Sequence, residues 1–319
     1  MSRPRSSRFR GVVAALTGLC VATLVVSCSS GSSSTASSTT SAVASSSAAA
    51  SSPLASSPVA PSSSKAATSS AAASSSAASA APAAGTLTVF AAASLKATFT
   101  EIGTIFETEN PGSKLAFNFA GSSDLVTQLT AGAPGDVFAS ADTNNMTKAT
   151  TADLVSGTPV NFASNILTIV TPPGNPAGVT SFADLAKPGL NVVVCAPQVP
   201  CGAAAATVEK NTGVTLTPVS EEQSVTDVLG KVKSTEADAG LVYVTDAKNA
   251  GDTVTEVPFP EAAAVLNVYP IATLTAATAP ELATKFVELL TGPEGQQVLA
   301  DAGFKPAPVT IGLTTFPAP

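Results

Sequence analysis

Apolar residues follow two alternating spacings along the chain from about residue 85 onward. Residues 86–91 form a short apolar run with the length and composition of a buried strand. Leu95, Phe99, Ile102 and Phe106 then recur three or four positions apart, which is the spacing of one helix face. A strand followed by an amphipathic helix, repeated along a chain, predicts an α/β architecture.

The alternation continues to residue 290. Further strands are expected at 115–119, 136–139, 165–170, 190–194, 239–244 and 267–274, and helices around 125–129, 203–210, 225–232 and 280–290. Ligands of open α/β sheets bind beyond the carboxyl ends of strands, where helices begin. Four such strand-to-helix junctions are visible, and we expect the functional site there.

Small hydroxyl residues stand at two of these junctions, Ser94 after the first strand and Ser122 after the second. A helix N-terminus offers unpaired N–H groups and about half a positive charge. A serine placed there can help to hold an anion without any cationic side chain. The alternative is that each serine only caps its helix, which is the usual role of serine at such positions.

The charge of the chain argues against several classes of partner. All four arginines (Arg3, Arg5, Arg8 and Arg10) lie in the first ten residues, and the chain has no histidine. If that leader is removed, the 15 basic residues fall to 11 lysines against 22 acidic residues, a net charge of −11. Such a chain does not favour nucleic acid or a basic membrane-surface patch. Any anion must therefore be captured by local geometry.

The first 28 residues combine a basic start with an apolar run at 11–26. That run is too short for a comfortable membrane span of about 20 residues, so it predicts an export signal. Residues 24–28, Leu-Val-Val-Ser-Cys, resemble a bacterial lipobox. This resemblance implies that Cys28 becomes the lipid-carrying N-terminus and anchors the protein to the outer face of the cell membrane. The alternative is an ordinary secretory signal.

Residues 29–84 are almost entirely Ser, Ala, Thr and Pro. A segment of this composition cannot bury enough apolar surface to offset its ordering entropy, so we expect a disordered tether. The alternative role, an O-glycosylated stalk, is also compatible with the composition.

Cys195 and Cys201 lie six positions apart in the part that follows the tether. Export to an oxidising compartment favours a disulfide between them, which would brace the intervening loop. A redox-active pair is the alternative. A metal site is disfavoured, because two thiols without any histidine fall short of four suitable ligands.

Four motifs, in this order, resemble one known family. They are Val-Phe-Ala-Ala-Ala-Ser-Leu at 89–95, Phe-Ala-Gly-Ser-Ser at 119–123, Ala-Pro-Gly-Asp-Val-Phe-Ala-Ser-Ala-Asp at 133–142 and Gly-Leu-Val-Tyr-Val-Thr-Asp-Ala at 240–247. Over most of residues 86–305 the chain is similar to the molybdate-binding lipoproteins, or periplasmic components, of ABC transporters.

The resemblance implies a two-lobed, hinged periplasmic-binding-protein fold of type II, with the ligand in the cleft between the lobes. We expect residues 85–163 and 265–319 to form the first lobe and residues 164–264 the second. The implied protein is a monomer and not an enzyme, and it has no cofactor. It captures molybdate and also tungstate, and it delivers them to a membrane permease.

The resemblance also implies which residues hold the oxyanion, with no direct ligand to the metal. Ser94 and Ser122 would each give a hydroxyl and an amide, Cys201 and Val225 a backbone amide, and Tyr243 its phenol. Two of these residues have a second interpretation. The Val225 side chain belongs to an apolar helix stripe, and Tyr243 could be a buried aromatic whose hydroxyl finds an internal partner.

Other functions remain as alternatives. A different tetrahedral oxyanion such as sulfate would use the same kind of site. A serine hydrolase would need a base, yet the chain has no histidine and Lys96 stands only two positions after Ser94. A surface adhesin would explain the leader and the tether but not the four junctions.

Overall fold

A computed structural model of the protein describes residues 84–308. The predicted leader, its Cys28 and the predicted tether up to residue 83 lie outside the described residues, as do residues 309–319. Within 84–308, no helix has the length and apolar character needed to cross a bilayer.

The described residues form ten strands and eight α-helices. The strands are β1 (Gly85–Ala92), β2 (Ser113–Ala120), β3 (Val137–Ala139), β4 (Val155–Asn165), β5 (Leu167–Thr171), β6 (Val192–Cys195), β7 (Ser220–Glu222), β8 (Ala239–Tyr243), β9 (Thr255–Val257) and β10 (Asn267–Leu274). The helices are α1 (Lys96–Glu109), α2 (Ser122–Thr130), α3 (Thr143–Thr151), α4 (Pro200–Thr212), α5 (Val225–Lys233), α6 (Val244–Ala250), α7 (Pro280–Thr291) and α8 (Pro293–Ala302). Short 3-10 helices occur at Ala93–Leu95, Phe182–Ala186, Gly251–Thr253 and Pro260–Ala264.

The strands belong to two five-stranded sheets, each mixed. The first has the order β2-β1-β3-β10-β4, with β1 parallel to β2 and β3, and with β10 antiparallel to β3 and β4. The second has the order β7-β6-β8-β5-β9, with β6 parallel to β7 and β8, and with β5 antiparallel to β8 and β9. The predicted α/β architecture is confirmed.

The chain passes between the sheets twice, and the two crossings lie side by side. The first is at Ile166, between β4 and β5, and the second precedes β10. Asn165 pairs with Asn267 across the antiparallel β4–β10 ladder, which holds the crossings together. We call residues 84–165 and 267–308 lobe 1, and residues 166–266 lobe 2.

The helix stripe read from the sequence forms the core of lobe 1. Phe99, Ile102 and Phe106 of α1 are fully buried. The rings of Phe99 and Phe106 each meet Phe286 of α7 edge to face, with centroids 5.6 and 5.7 Å apart. Aromatic pairs favour this geometry because the positive edge of one ring meets the negative face of the other. This packing fixes the orientation of α1, which follows β1 after the short 3-10 helix at Ala93–Leu95.

Two elements of lobe 1 were not expected from the apolar pattern. β4 is exposed over much of its first seven residues because it forms the edge of its sheet, so it lacks an apolar run. α3 is mostly polar, and its N-terminus is fixed by Asp142, whose carboxylate accepts the Asn145 N–H at 2.9 Å. Edge strands and polar helices depend on tertiary contacts, which hydrophobic periodicity does not reveal.

Candidate functional site

One small cavity lies at the start of four helices, which are the 3-10 helix at Ala93–Leu95 and α2 from lobe 1 and α4 and α5 from lobe 2. The cavity has a volume of about 10 Å³ and is lined by Ala92, Ala93, Ser94, Gly121, Ser122, Ala141, Val199, Pro200, Cys201, Val225 and Tyr243. All five residues that the resemblance implied are among them. Pockets for drug-sized organic ligands occupy roughly 300–1,000 Å³. The cavity therefore suits a small inorganic ion better than a larger organic solute.

The cavity is shielded from water. Ser94 is the most exposed of the five residues at 9%, and Ser122, Cys201, Val225 and Tyr243 are each exposed by 3% or less. Electrostatic interactions and hydrogen bonds are stronger in such surroundings than in bulk water. An anion in this cavity would gain more from each donor than it would at the protein surface.

The helices present unpaired amides to the cavity. The first backbone hydrogen bonds in the opening turns of α2, α4 and α5 are donated by Asp124, Ala203 and Asp227, at 3.0, 2.9 and 3.2 Å. The N–H groups of Ser122, Cys201 and Val225 precede those donors, and the opening N–H groups of a helix have no partner inside it. Each is therefore available to an acceptor in the cavity.

The two serines do not act as ordinary helix caps. Ser122 is the first residue of α2 rather than its cap, a position that Gly121 occupies. Ser94 lies in the 3-10 helix that precedes α1. Within the described chain, neither α1 nor α2 has a side-chain bond at its cap. By contrast, Ser224 caps α5 by accepting the Asp227 N–H at 3.3 Å.

The Ser122 hydroxyl is oriented by its neighbour in lobe 1. Its oxygen accepts the Ala141 N–H at 3.0 Å, and both residues are buried. Because a hydroxyl has one proton and two lone pairs, accepting this bond leaves the proton free for another acceptor. Ser122 can thus donate both its hydroxyl and its amide to an anion.

The Tyr243 hydroxyl is oriented in the same way at the end of β8. It accepts an N–H from Asn267 Nδ2 at 3.1 Å, which leaves its own proton free. Burial, and then the neighbouring Tyr269, raise the pKa of Tyr243 well above its usual value. The hydroxyl therefore keeps its proton, so it remains a donor.

Ser94 shares a hydrogen bond with a residue that the sequence did not single out. Its Oγ lies 3.0 Å from the hydroxyl of Tyr269, a fully buried residue of β10. Either hydroxyl can be the donor in this pair. Burial raises the pKa of Tyr269, so this hydroxyl also keeps its proton. When Tyr269 donates to Ser94, the Ser94 proton is left for the cavity.

The predicted disulfide between Cys195 and Cys201 is confirmed. It ties the end of β6 to the first turn of α4, where the Cys201 amide lies. Gly202 completes this tight turn, because a Cβ there would overlap the carbonyl oxygens of Ala196 and Cys195. The disulfide and the glycine together hold the loop against the start of α4.

The lobes meet at Gly121, another residue that the sequence did not single out as a site residue. A Cβ on Gly121 would overlap the backbone carbonyl oxygen of Gln223 in lobe 2. Nearby, Asn145 of lobe 1 donates to the carbonyl of Gln198 in lobe 2 at 3.4 Å. The lobes are therefore in direct contact at these two places.

The chemistry of the lining favours an anion without any cationic side chain. Among residues 84–308, those that line the cavity include no lysine, arginine or histidine. The described chain also has no group of three or more His, Cys, Asp or Glu residues that could hold a metal ion. The lining does include hydroxyl groups and the opening residues of helices, and donors of this kind can bind an oxyanion.

Comparisons with known proteins identify the family of this chain. The family of bacterial extracellular solute-binding proteins matches residues 87–305. The molybdate-binding protein ModA of Mycobacterium tuberculosis (strain ATCC 25618 / H37Rv) is 55% identical over 221 residues, which are 69% of this chain and 85% of that protein.

Two solved structures share the fold. The periplasmic molybdate-binding protein of Azotobacter vinelandii has a TM-score of 0.60 at 21% identity and covers 68% of this chain and 98% of its own. The sulfate-binding protein SubI of Mycobacterium tuberculosis H37Rv has a TM-score of 0.61 at 19% identity and covers 69% of this chain and 86% of its own. Two α/β lobes joined by adjacent crossings are thus a shared architecture. The match over residues 87–305 and the close relative show that this chain belongs to the bacterial extracellular solute-binding protein family.

Proposed function

We propose that this protein binds molybdate, and also tungstate, and delivers the ion to an ABC permease. The observation that carries the proposal is a buried cavity in which hydroxyls and free amides converge from both lobes. Its donors are the hydroxyls of Ser94, Ser122 and Tyr243 and the amides of Ser122, Cys201 and Val225. The amide of Ser94 adds to this set by the family resemblance. The 55% identity to a molybdate-binding relative supports the choice of ion.

The direction of the hydrogen bonds supports selection for a fully deprotonated oxyanion. The hydroxyl oxygens of Ser122 and Tyr243 already accept N–H groups of the protein, so each can offer its own proton to an acceptor in the cavity. Hydrogen phosphate carries a proton near neutral pH, and that proton would find donors where it needs an acceptor. Molybdate and tungstate carry no proton there, so the site should prefer them to phosphate by a wide margin.

Sulfate is the second candidate, because it is also a fully deprotonated tetrahedral dianion. Because neither sulfate nor molybdate carries a proton, the direction of the hydrogen bonds does not distinguish them. The size of the site has to provide the selectivity. Sulfate is the smaller ion, and in a site shaped for molybdate we expect its oxygens to reach fewer donors, which weakens its binding. We therefore expect sulfate to bind more weakly than molybdate.

Isothermal titration calorimetry of the purified full chain with molybdate, tungstate, sulfate and phosphate tests the proposal. We expect saturable binding of one molybdate or tungstate per chain, much weaker binding of sulfate, and no competition by phosphate at concentrations similar to that of molybdate. One ion per monomer is the expected stoichiometry. Phosphate or sulfate bound as tightly as molybdate would contradict the assignment.

The proposed location is the outer face of the cell membrane, with Cys28 as the lipid anchor and the tether as a flexible connection. The lipobox-like segment at 24–28 supports this part of the proposal. A Cys28→Ala variant should leave the membrane fraction or keep its signal peptide. Unchanged fractionation, together with an unmodified Cys28 in the mass spectrum of the wild-type protein, would contradict the anchor but not the ligand.

A further inference from the structure

Asn267 is the first residue of β10, where the chain returns from lobe 2 to lobe 1, and it is buried. Its side-chain nitrogen Nδ2 lies 3.0 Å from the Ala141 carbonyl oxygen, 3.1 Å from the Tyr243 hydroxyl oxygen and 3.4 Å from the Pro200 carbonyl oxygen. Ala141 belongs to lobe 1, whereas Tyr243 and Pro200 belong to lobe 2. One amide group therefore contacts both lobes and a hydroxyl of the cavity.

The chemistry of the three partners shows that the Asn267 side chain is the hydrogen-bond donor. Carbonyl oxygens only accept hydrogen bonds, so the end of the Asn267 side chain that faces Ala141 and Pro200 must be the nitrogen. The amide has two protons, and its two shorter contacts are with Ala141 and Tyr243. The Tyr243 oxygen thus receives one N–H, which leaves its own proton for another acceptor.

The neighbouring aromatic does not displace this arrangement. Tyr269 packs edge to face on Tyr243 with ring centroids 6.0 Å apart. The Tyr269 hydroxyl is itself engaged with Ser94 Oγ at 3.0 Å. The Tyr269 oxygen can also accept the Tyr243 proton. Because Tyr243 lines the cavity and a charged acceptor forms the stronger bond, an anion there can draw this proton away from Tyr269.

We propose that Asn267 is a positioning residue that keeps Tyr243 a donor and thereby excludes protonated oxyanions. This inference rests on the proposed function and adds a specificity determinant to it. Without the amide, the Tyr243 oxygen has both lone pairs free and its proton can turn away from the cavity. It can then accept a hydrogen bond from a protonated anion such as hydrogen phosphate.

The decisive measurement is selectivity rather than affinity alone. Asn267→Leu removes the amide protons at similar volume, and we expect it to weaken molybdate binding about tenfold, the size of one lost hydrogen bond. Hydrogen phosphate should bind no more weakly than before, so the ratio of the two affinities should fall about tenfold. A loss of lobe geometry would instead weaken both anions in parallel, and that outcome would overturn the proposal.

A double-mutant cycle tests whether Asn267 acts through Tyr243. In a Tyr243→Phe background no hydroxyl remains to be oriented, so Asn267→Leu should change the molybdate-to-phosphate ratio by less than about twofold. If the two substitutions change the ratio independently, Asn267 does not act through Tyr243 and the proposal fails. All four proteins are titrated as purified full chains, with phosphate as the competitor.

Two further variants keep the result interpretable. Asn267→Ala removes the same protons without adding bulk, and it should reproduce the change in ratio if the leucine variant does not fold. Asn211→Leu makes the same substitution at an exposed position near the far end of α4 and should leave the ratio unchanged. If the wild-type protein binds no molybdate, the proposed function fails. If the wild-type protein binds molybdate but the Asn267 variants have the same molybdate-to-phosphate affinity ratio as the wild type, only this inference fails.

Discussion

The two lobes supply different kinds of donor to one cavity. Lobe 1 contributes the side-chain hydroxyls of Ser94 and Ser122, which Tyr269 and Ala141 of the same lobe hold in place. Lobe 2 contributes mainly backbone amides at the starts of α4 and α5. A hydroxyl is lost when its residue is replaced, whereas an amide survives nearly every substitution. Binding should therefore be sensitive to side-chain identity in lobe 1 and tolerant in lobe 2.

Lobe 2 also fixes its donors by other means. The disulfide between Cys195 and Cys201 holds the start of α4, and the Ser224 cap holds the start of α5. Lobe 2 has one side-chain donor in the cavity, Tyr243, and this hydroxyl receives its orienting bond from Asn267 at the boundary of the lobes. Apart from Tyr243, lobe 2 has to preserve the position of its backbone rather than the choice of side chain.

The largest expected effect comes from the point where the lobes touch. Gly121 has φ −60° and ψ 140°, a conformation open to alanine, so Gly121→Ala should leave lobe 1 intact. The added methyl would overlap the Gln223 carbonyl and oppose closure. Overpacking of this kind costs about 3 kcal/mol, so the molybdate affinity measured by calorimetry should fall about a hundredfold.

Gly230→Ala is the matched control, since a Cβ there meets nothing within 4 Å and the residue lies inside α5. It should retain the wild-type affinity. Equal affinities for the Gly121 variant and wild type would mean that the ligand-bound lobes do not meet at this contact.

The next largest effect separates two adjacent serines of lobe 1. Ser122→Ala removes an oriented donor to a charged group, so affinity should fall about ten- to a hundredfold, as it should for Tyr243→Phe. Ser123 is also buried, but within residues 84–308 its hydroxyl has no hydrogen-bond partner and it does not line the cavity. Ser123→Ala should keep the wild-type affinity in the same titration. Similar losses in the two serine variants would refute the assignment of the donor to Ser122.

The third effect concerns the buried carboxyl of Asp246, which accepts the backbone N–H of Tyr243 in lobe 2. Burial raises the pKa of Asp246 to about 7, against the opposing effect of the bond from the Tyr243 N–H at 3.2 Å. In lobe 1, burial also raises the pKa of Asp142, but bonds from Asn145 and Ser140 oppose the shift. As the pH rises, Asp246 loses its proton at a lower pH in the unfolded chain than in the folded protein. The contribution of this carboxyl to the free energy of unfolding is therefore greatest below about pH 4, and it is lost as the pH rises through about 7.

Asp246→Asn cannot ionise. It should therefore gain stability relative to wild type between about pH 5 and pH 8, on the order of 1–3 kcal/mol. Urea unfolding at the two pH values measures this difference. A stability difference that does not change with pH would show that Asp246 does not titrate in the folded protein over this range.

The smallest effect tests the tolerance of lobe 2. Val225 is buried and lines the cavity, and we expect its amide rather than its side chain to contact the ligand. Val225→Ala should change molybdate affinity by less than about twofold, although loss of buried methyl groups should lower the free energy of unfolding by about 1–2 kcal/mol. A loss of affinity comparable to that of Ser122→Ala would remove the distinction between the lobes.

The sequence predicts those parts of the molecule that depend on neighbours in the chain. The α1 stripe and the strand β1 follow from local spacing, and Ser94 and Ser122 stand out because each follows a strand and begins a helical turn. The structure brings these serines into one cavity with Cys201, Val225 and Tyr243. That these residues hold an anion stays a prediction.

The residues that orient these hydroxyls could not be predicted in this way. Tyr269 is 175 positions from Ser94, and Asn267 is 126 positions from Ala141. Both lie on β10, which returns to lobe 1 only after the whole of lobe 2. Their periodicity marks them as strand residues, and no local feature distinguishes a strand tyrosine in a core from one that holds a binding residue.

Because the cavity contains dipoles rather than ionic side chains, dissolved salt should act on this protein in two separate ways. Screening over about 8–10 Å reaches the acidic exterior, where it weakens the repulsion that slows an approaching anion. It has little influence on donors a few ångströms from their acceptor in a buried site. Ionic strength should then govern how quickly an ion arrives and leave its residence time almost unchanged. For a protein of the extracellular family, the salinity of the medium should therefore change the affinity only through the association rate, while the dissociation rate stays constant.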